Sequence, residues 1–304
     1  MRRLYIAGLI TASIMVLAAV VGFLIGPGLA HPANLNPERL PQTVAMLART
    51  HATREDFVVR APDGAMLRGW KIRPATLSGD WVLLFHGISD NRTGTLGAAD
   101  FLLRHGYSVV MMDARAHGKS GGDFSTYGWQ ERFDTVAITQ ALLATEHVRH
   151  LYALGVSLGA VIALDSAAVE PRIEAVAAED SFSSLHEVAF DYAGLWISPW
   201  LGRTLFRPAT FFALRRLSQT AHFDPAEASP EKAVAQRAFP VLLICGTRDR
   251  QIPCRHDELI YRAARGPKQL WVVRGAGHAG AFGTAPREYE ERVLKFFQDN
   301  SLSS

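Results

Sequence analysis

The fold is decided at residues 151–160, which read LYALGVSLGA. Two glycines, Gly155 and Gly159, bracket a single serine, Ser157, and apolar residues lead into the stretch and out of it. The pattern predicts a buried strand, a cramped turn at the serine that only small neighbours allow, and a helix directly afterwards. A serine at such a corner is either a nucleophile held on the turn or the cap of a buried helix.

Short apolar runs like the one before Ser157 recur through the chain and are typical of strands buried on both faces. They occupy residues 81–87, 107–113, 151–155, 173–180, 239–246 and 269–275. Helix-like segments separate most of them, at residues 92–105, 129–146, 158–169, 256–264 and 286–298. This alternation predicts an α/β fold with a mostly parallel central sheet and helices on both faces. Residues 55–74 come before the alternation and predict two further strands, joined at Pro62-Asp63-Gly64.

One interval between predicted strands is unusually long, because residues 183–237 supply 55 residues where a single crossover helix needs far fewer. Trp196, Trp200 and Phe206 are among its many large apolar side chains. We predict a small helical cap over the sheet edge, since ligands of parallel sheets bind beyond the carboxyl ends of the strands. On this prediction the three aromatic residues line a substrate pocket. The alternative is an ordinary pair of peripheral helices that these residues pack against the sheet.

The first 30 residues differ from the rest of the chain. Arg2 and Arg3 precede 22 uncharged and mostly apolar residues at 4–25, which is enough to span a bilayer. We predict a signal anchor, a single transmembrane helix, over residues 1–30. Its N-terminus lies in the cytoplasm, since positive charge tends to stay inside, and the rest of the chain lies outside the cytoplasm. The alternative is a signal peptide cleaved at the small residues 28–30, followed by secretion.

Three small residues at a spacing of four, Ala18, Gly22 and Gly26, run along the predicted anchor. Such a ladder allows two helices to pack closely, although small residues are common in membrane helices without such packing. A proline-containing linker and a short helix are expected over residues 31–54, and the main domain over residues 55–304.

Composition limits the classes of function. Of the 304 residues 48% are hydrophobic and 20% charged, which suits a globular protein, and the net charge of +3 without basic blocks argues against nucleic acid as a partner. Cys245 and Cys254 are the only cysteines and form no CxxC pair, so they indicate neither a zinc site nor a redox motif. We expect two buried free thiols, with a disulfide as the alternative in an oxidising compartment.

A nucleophilic serine needs a base, and the base needs an orienting carboxylate. Asp249 follows one predicted strand and His278 follows the last, so both lie at the same sheet edge as Ser157. The order Ser, Asp, His is that of enzymes whose nucleophile lies on a strand-to-helix turn. Taken singly, Asp249 has the alternative of a turn-forming residue and His278 that of a surface loop histidine. Asp180, also at a strand end, is the competing carboxylate.

The backbone N–H groups of Ile88 and Leu158 are the expected donors to an oxyanion, because one follows an earlier strand and the other follows the nucleophile. His86 is expected to be a structural residue of that earlier loop. Residues 113–122 read DARAHGKSGG and end like a phosphate-binding loop. That interpretation fails because the pattern requires glycine where the chain has Asp113. We expect this segment to be a hydrogen-bonded loop that braces the site.

These motifs together resemble the α/β-hydrolase superfamily of serine hydrolases over roughly residues 55–300. The motifs that carry the resemblance are HGISDN, DARAHGKSGG, GVSLGA, CGTRDRQIP and GAGHAG, in family order. The second motif is similar to the branch that contains bacterial esterases and prolyl-oligopeptidase-like enzymes, with Ala116 where that branch often has glycine. The resemblance implies Ser157 as nucleophile, His278 as base and Asp249 as its orienting acid. It also implies Ile88 and Leu158 as oxyanion donors, and neither a metal nor an organic cofactor.

The sequence therefore predicts a membrane-anchored serine hydrolase that cleaves carboxylic esters or related acyl bonds of a small-molecule substrate through an acyl-enzyme. The aromatic cap favours a substrate with an apolar part. Two alternatives stay open, a peptidase of short peptides and a non-catalytic binding protein on the same scaffold. Peptidases of the family usually carry a large accessory domain, for which this chain has no room. A binding protein has no need of the full set of Ser157, Asp249 and His278.

Overall fold

The computed structural model describes residues 2–33 and 36–301. Residue 1 of the predicted anchor, residues 34 and 35 of the predicted linker and residues 302–304 lie outside them. Within the described residues the strands are β1 Thr53–Arg60, β2 Met66–Arg73, β3 Asp80–Phe85, β4 Ser108–Met112, β5 His150–Val156, β6 Ala175–Glu179, β7 Val241–Gly246 and β8 Lys268–Val273. They form one sheet in the order β1-β2-β4-β3-β5-β6-β7-β8. The junctions β1–β2 and β2–β4 are antiparallel and the remaining junctions are parallel.

Helices cover both faces of this sheet. They are α1 Arg2–Ala30, α2 Leu40–Thr50, α3 Leu96–Arg104, α4 Glu131–Leu143, α5 Leu158–Val169, α6 Leu185–Gly194, α7 Pro199–Arg203, α8 Arg207–Ala221, α9 Pro230–Gln236, α10 Arg255–Ala263, α11 Ala281–Thr284 and α12 Pro286–Asp299. Short 3-10 turns lie at Arg92–Thr95 and Pro225–Glu227. The predicted α/β architecture, with a mostly parallel sheet, is confirmed.

The central strands are mostly apolar because both of their faces are buried. In β3, Trp81 and Leu83 contribute to a core shared with α4, α5 and α9, whereas Val82 and Leu84 contribute to a second core shared with α3 and α12. This is the period of two expected when successive side chains point to opposite faces of a strand. The hydrophobic runs of the sequence are therefore explained by two cores rather than by one.

The helices α6, α7 and α8 occupy the long interval before β7 and lie over the carboxyl ends of the parallel strands. They form the cap, defined here as residues 185–221. Helix α1 packs directly against α8. A Cβ atom added at Gly22 would lie 2.4 Å from the carbonyl oxygen of Ala209, and one added at Gly26 would lie 2.5 Å from Cβ of Arg216. The two glycines of the ladder thus pack against the cap of the same chain. From Ser13 to Ala30 helix α1 is long and apolar enough to cross a membrane.

The two cysteines form a disulfide, and the expectation of free thiols is wrong. Cys245 and Cys254 have their Cα atoms 5.4 Å apart, within the range that a disulfide requires. The loop between them folds back so that the start of α10 returns to the end of β7. The sequence concealed this return because a spacing of nine residues fits a straight exit from the strand equally well. The bond closes the loop that carries Asp249.

Candidate active site

Ser157 lies on a sharp turn between β5 and α5 that its glycine neighbours make possible. Its backbone adopts φ of 57° and ψ of −121°, a region that side chains other than glycine rarely occupy. A Cβ atom at Gly155 would lie 2.1 Å from the carbonyl oxygen of Gly159. A Cβ atom at Gly159 would lie 2.1 Å from the carbonyl oxygen of Phe85. Any larger residue at either position would displace this turn, which holds the hydroxyl above the N-terminus of a helix.

The structure brings together the three side chains expected from the sequence. Ser157 Oγ and His278 Nε2 are 2.9 Å apart, and His278 Nδ1 and Asp249 Oδ2 are 2.7 Å apart. Asp249 Oδ1 in turn accepts hydrogen bonds from the backbone N–H groups of Gln251 at 2.7 Å and Ile252 at 2.9 Å. Ser157 directs its hydroxyl toward the imidazole rather than toward the N–H groups of α5. This geometry suits a hydroxyl that passes its proton to a fixed imidazole.

The charges around His278 favour its protonated form. Burial lowers the pKa of the imidazole, but the hydrogen bond to Asp249 and the negative charges of Asp249, Asp180 and Glu179 together raise it above its ordinary value. The pKa of Asp180 is raised to about 7 by burial and by the charges of Glu179 and Asp249. The site therefore stabilises an imidazolium, the species formed when the histidine takes a proton from serine.

Asp180, the competing carboxylate, has a different set of partners. Its Oδ2 lies 3.9 Å from His278 Nδ1 and accepts from the backbone N–H of Ala279 at 2.7 Å. Its Oδ1 accepts from the backbone N–H of Gly246 at 3.2 Å. Asp180 thus joins the loop that carries the histidine to the end of β7. Sequence analysis missed this positioning role, for which the acidic pair Glu179 and Asp180 at a strand end is the available signal.

The loop after β3 is held by a buried histidine. The backbone N–H of Ala114 donates to His86 Nε2 at 3.0 Å, so Nδ1 carries the proton and donates to the carbonyl oxygen of Gly87 at 2.8 Å. Burial, assisted by the neighbouring His117, lowers the pKa of His86 to about 4, which keeps the ring neutral. The carbonyl of Gly87 and the N–H of Ile88 belong to one peptide unit. His86 therefore fixes the orientation of that N–H group.

The segment 113–122 is a hydrogen-bonded loop beside the site. Asp113 accepts from the backbone N–H groups of Arg92 at 2.8 Å and Lys119 at 2.7 Å. Ser120 Oγ donates to the carbonyl oxygen of Asp113 at 2.7 Å. Arg115 forms a bidentate pair with Asp134. These bonds fix the loop against the ends of β3 and β4, as the sequence led us to expect.

Two cavities meet at Ser157 and Ile88. One has a volume of about 720 Å³, is mostly apolar and runs beneath the cap. Trp196 and Phe206 are among its lining residues, but Trp200 is not and leaves 69% of its surface exposed. The expectation for Trp200 is therefore wrong, because the short helix α7 turns this side chain outward. The second cavity, about 340 Å³, lies on the other side of the serine. Polar residues contribute to its lining, namely Asn36, Asp90, Glu179 and Gln251.

The match to a family model covers residues 82–292 and identifies the alpha/beta hydrolase family, to which this chain belongs. A relative from Bacillus subtilis, the uncharacterised protein YqkD, is 27% identical over 253 residues, which are 82% of this chain and 80% of YqkD. The uncharacterised Rv2307c of Mycobacterium tuberculosis is 32% identical over 73% of this chain and 72% of its own length. Among solved structures, a Pyrococcus furiosus esterase matches with a TM-score of 0.69 at 23% identity, over 84% of this chain and 94% of the esterase. That likeness shows the fold alone.

Proposed function

We propose that this protein is a serine hydrolase that cleaves carboxylic esters through an acyl-enzyme intermediate. The observation that carries the proposal is the chain of hydrogen bonds from Ser157 through His278 to Asp249, at the junction of two cavities. A fold shared with the Pyrococcus esterase supports it. A binding protein has no use for an imidazole held between a serine hydroxyl and a buried carboxylate.

In the proposed reaction Ser157 Oγ attacks the ester carbonyl carbon while His278 Nε2 accepts the hydroxyl proton. The backbone N–H groups of Ile88 and Leu158 donate to the carbonyl oxygen as it becomes negative. Collapse of this intermediate breaks the ester C–O bond, and His278 gives its proton to the departing alcohol. Water then attacks the acyl-enzyme, loses a proton to His278 and releases the acid, and the proton returns to Ser157 Oγ. Asp249 holds the ring and stabilises the imidazolium throughout.

The two cavities divide the substrate between them. The apolar cavity beneath the cap suits the acyl part, because burying hydrocarbon there removes it from water. The smaller cavity, with its polar side chains, suits the alcohol that leaves.

We also propose that α1 is retained as a signal anchor and that the hydrolase domain lies outside the cytoplasm. The disulfide between Cys245 and Cys254 supports that location, since such bonds persist in oxidising compartments.

A fluorophosphonate probe tests the proposed function, because it bonds covalently to an activated serine. We expect the full-length protein to be labelled and to cleave p-nitrophenyl butyrate, and Ser157→Ala to lose both properties. Ser181→Ala, at a buried serine after β6, serves as the control and is expected to retain both. Labelling that persists in Ser157→Ala, or that disappears in Ser181→Ala, would contradict the assignment.

A further inference from the structure

Helix α1 presents three distinct stripes along its length. Gly22 and Gly26 face the cap helix α8, as their lack of space for a Cβ atom indicates. A second stripe, Val21, Ile25 and Leu29, lines the apolar cavity that reaches Ser157. A third stripe faces outward and is exposed, and it includes Val16, Leu17, Val20 and Leu24. One helix thus combines a face that packs against the cap, a face that lines the cavity and an exposed apolar face.

The cavity wall lies on the segment that is apolar enough to cross a membrane. Val21, Ile25 and Leu29 fall within Ser13–Ala30 and extend over about 12 Å of the helix at 1.5 Å per residue. At its inner end this wall is fastened to the hydrolase domain. The hydroxyl of Tyr127 donates to the carbonyl oxygen of Leu29 at 2.8 Å, and the N–H of Ser125 donates to that of Ala30 at 2.9 Å.

The cap carries exposed apolar side chains at and next to the residues that line the cavity. Trp196 lines the cavity and is nevertheless 92% exposed, so the cavity opens beside it. The neighbouring large apolar residues of the cap are also exposed, namely Ile197, Trp200, Leu205 and Phe211. Several exposed large apolar side chains on an element packed against an apolar helix are typical of a surface that enters a bilayer, and tryptophan favours the membrane interface.

We propose that the substrate is a membrane glycerolipid whose fatty-acyl chain passes sideways from the bilayer into the cavity between α1 and the cap. The inference rests on the proposed ester hydrolysis and assigns a substrate class to it. The acyl chain lies along Val21, Ile25 and Leu29 with its ester carbonyl at Ser157, and the polar head group occupies the smaller cavity. Attack by Ser157 Oγ breaks the ester C–O bond, and the lysolipid leaves as its alcohol with a proton from His278. Hydrolysis of the acyl-enzyme by water then releases the fatty acid and returns the proton to Ser157 Oγ. Helix α1 is thus a wall of the site as well as an anchor.

Two glycine substitutions in α1 distinguish its role as a wall of the cavity from its role as a membrane anchor. Gly22→Leu adds a side chain where only 2.4 Å separates a Cβ from the backbone of Ala209, so it displaces α1 from α8. Gly28→Leu is the matched control, because a Cβ at Gly28 has no neighbour within 4 Å among the described residues. Both changes increase the apolar character of the helix equally. The readout is the ratio of kcat/KM for p-nitrophenyl palmitate to that for p-nitrophenyl butyrate.

We expect Gly22→Leu to lower this ratio at least tenfold and Gly28→Leu to leave it unchanged. A second pair guards against misfolding: Ile25→Trp narrows the cavity and should lower the ratio, whereas Leu24→Trp, on the outward face, should not. Full-length protein in phosphatidylcholine vesicles with labelled palmitoyl chains should release labelled palmitate.

Three results would overturn the inference. Butyrate cleavage without any release of palmitate from vesicles would reject the lipid substrate while leaving the serine hydrolase intact. An equal effect of Gly22→Leu and Gly28→Leu, together with an equal effect of the two tryptophan variants, would reject α1 as a wall. Absence of both fluorophosphonate labelling and butyrate cleavage would reject the proposed function, and the inference with it.

Discussion

Two carboxylates lie near one imidazole at the sheet edge, and their partners distinguish their roles. Asp249 bonds His278 at 2.7 Å, whereas the oxygens of Asp180 accept from backbone N–H groups and the nearer one is 3.9 Å from the ring. We expect Asp249→Asn to lower kcat roughly a thousand- to ten-thousandfold, because the amide would favour the wrong tautomer. Asp180→Asn should lower the free energy of unfolding and reduce kcat less than Asp249→Asn does. Steady-state kinetics and urea denaturation of both variants test this, and the opposite order of kcat losses would exchange the two roles.

The pH dependence of the reaction follows from the raised pKa of His278. Only neutral imidazole accepts the proton of Ser157, so activity is lost as pH falls through the pKa of the histidine. Because the charges of Asp249, Asp180 and Glu179 raise that pKa above 6.5, the acid limb of kcat/KM should lie above pH 6.5. Asp249→Asn should move the limb toward lower pH. The carboxylate oxygens of Asp180 and Asp249 are already occupied by N–H donors, so EDTA should leave the profile unchanged. A rate that is constant from pH 8 to about 4, below the range of histidine, would remove His278 from the mechanism.

In our interpretation His86 positions the peptide unit between Gly87 and Ile88, and a variant of His86 tests that role. His86→Ala removes the shorter of two hydrogen bonds to the carbonyl oxygen of Gly87 and leaves only the bond from the N–H of Asp90 at 3.4 Å, so the N–H of Ile88 is held less firmly. We expect kcat to fall roughly tenfold to a hundredfold, less than the loss from deleting an oxyanion donor, while KM changes little. Rates must be normalised to the fraction of sites that react with fluorophosphonate, since the variant is also destabilised. A normalised kcat equal to that of the natural protein would assign His86 a purely structural role.

At the level of elements, the disulfide fastens the loop between β7 and α10 that presents Asp249. Closing a loop of this size stabilises the folded state by roughly 2–3 kcal/mol, chiefly by restricting the unfolded chain. We expect Cys245→Ser with Cys254→Ser to lose about that much free energy of unfolding in urea. The double variant should also have a lower kcat, because the loop that holds Asp249 against His278 is no longer closed by a covalent bond. If dithiothreitol lowers the denaturation midpoint of the double variant as much as that of the natural protein, the disulfide is not the cause.

The elements themselves were largely predictable, because their signals are local. Helix α5 begins and ends where its apolar run does. The turn at Ser157 is indicated by Gly155 and Gly159, since the backbone approaches too closely there for a larger residue. The strand order was not predictable, since it depends on which crossover each strand takes rather than on its own residues. Trp200 and the disulfide were misjudged for a similar reason. Whether a tryptophan faces inward, or a loop returns on itself, is decided by tertiary packing.

On the scale of the whole molecule, the small residues of α1 are the clearest case of a signal whose meaning only the structure supplies. A ladder of Ala18, Gly22 and Gly26 permits close approach to any helix, and the sequence does not identify that helix. In the fold the partner is α8, and Arg216 of α8 also lies 4.3 Å from the ring of Phe23. Helix α1 and the cap therefore form one unit around the cavity, which reaches Ser157.

Because α1 packs against the cap, we predict that the protein stays with the membrane and that its hydrolase domain faces away from the cytoplasm. Helix α1 is long and apolar enough to span a bilayer, and Arg2 and Arg3 favour a cytoplasmic N-terminus. Full-length protein should remain in the membrane pellet after carbonate extraction. An alkaline phosphatase fused at the C-terminus should be active, because that reporter folds only outside the cytoplasm, whereas a β-galactosidase fusion should be inactive. A soluble mature protein that begins at His31 would instead indicate signal cleavage. It would also leave the cavity without the wall formed by Val21, Ile25 and Leu29.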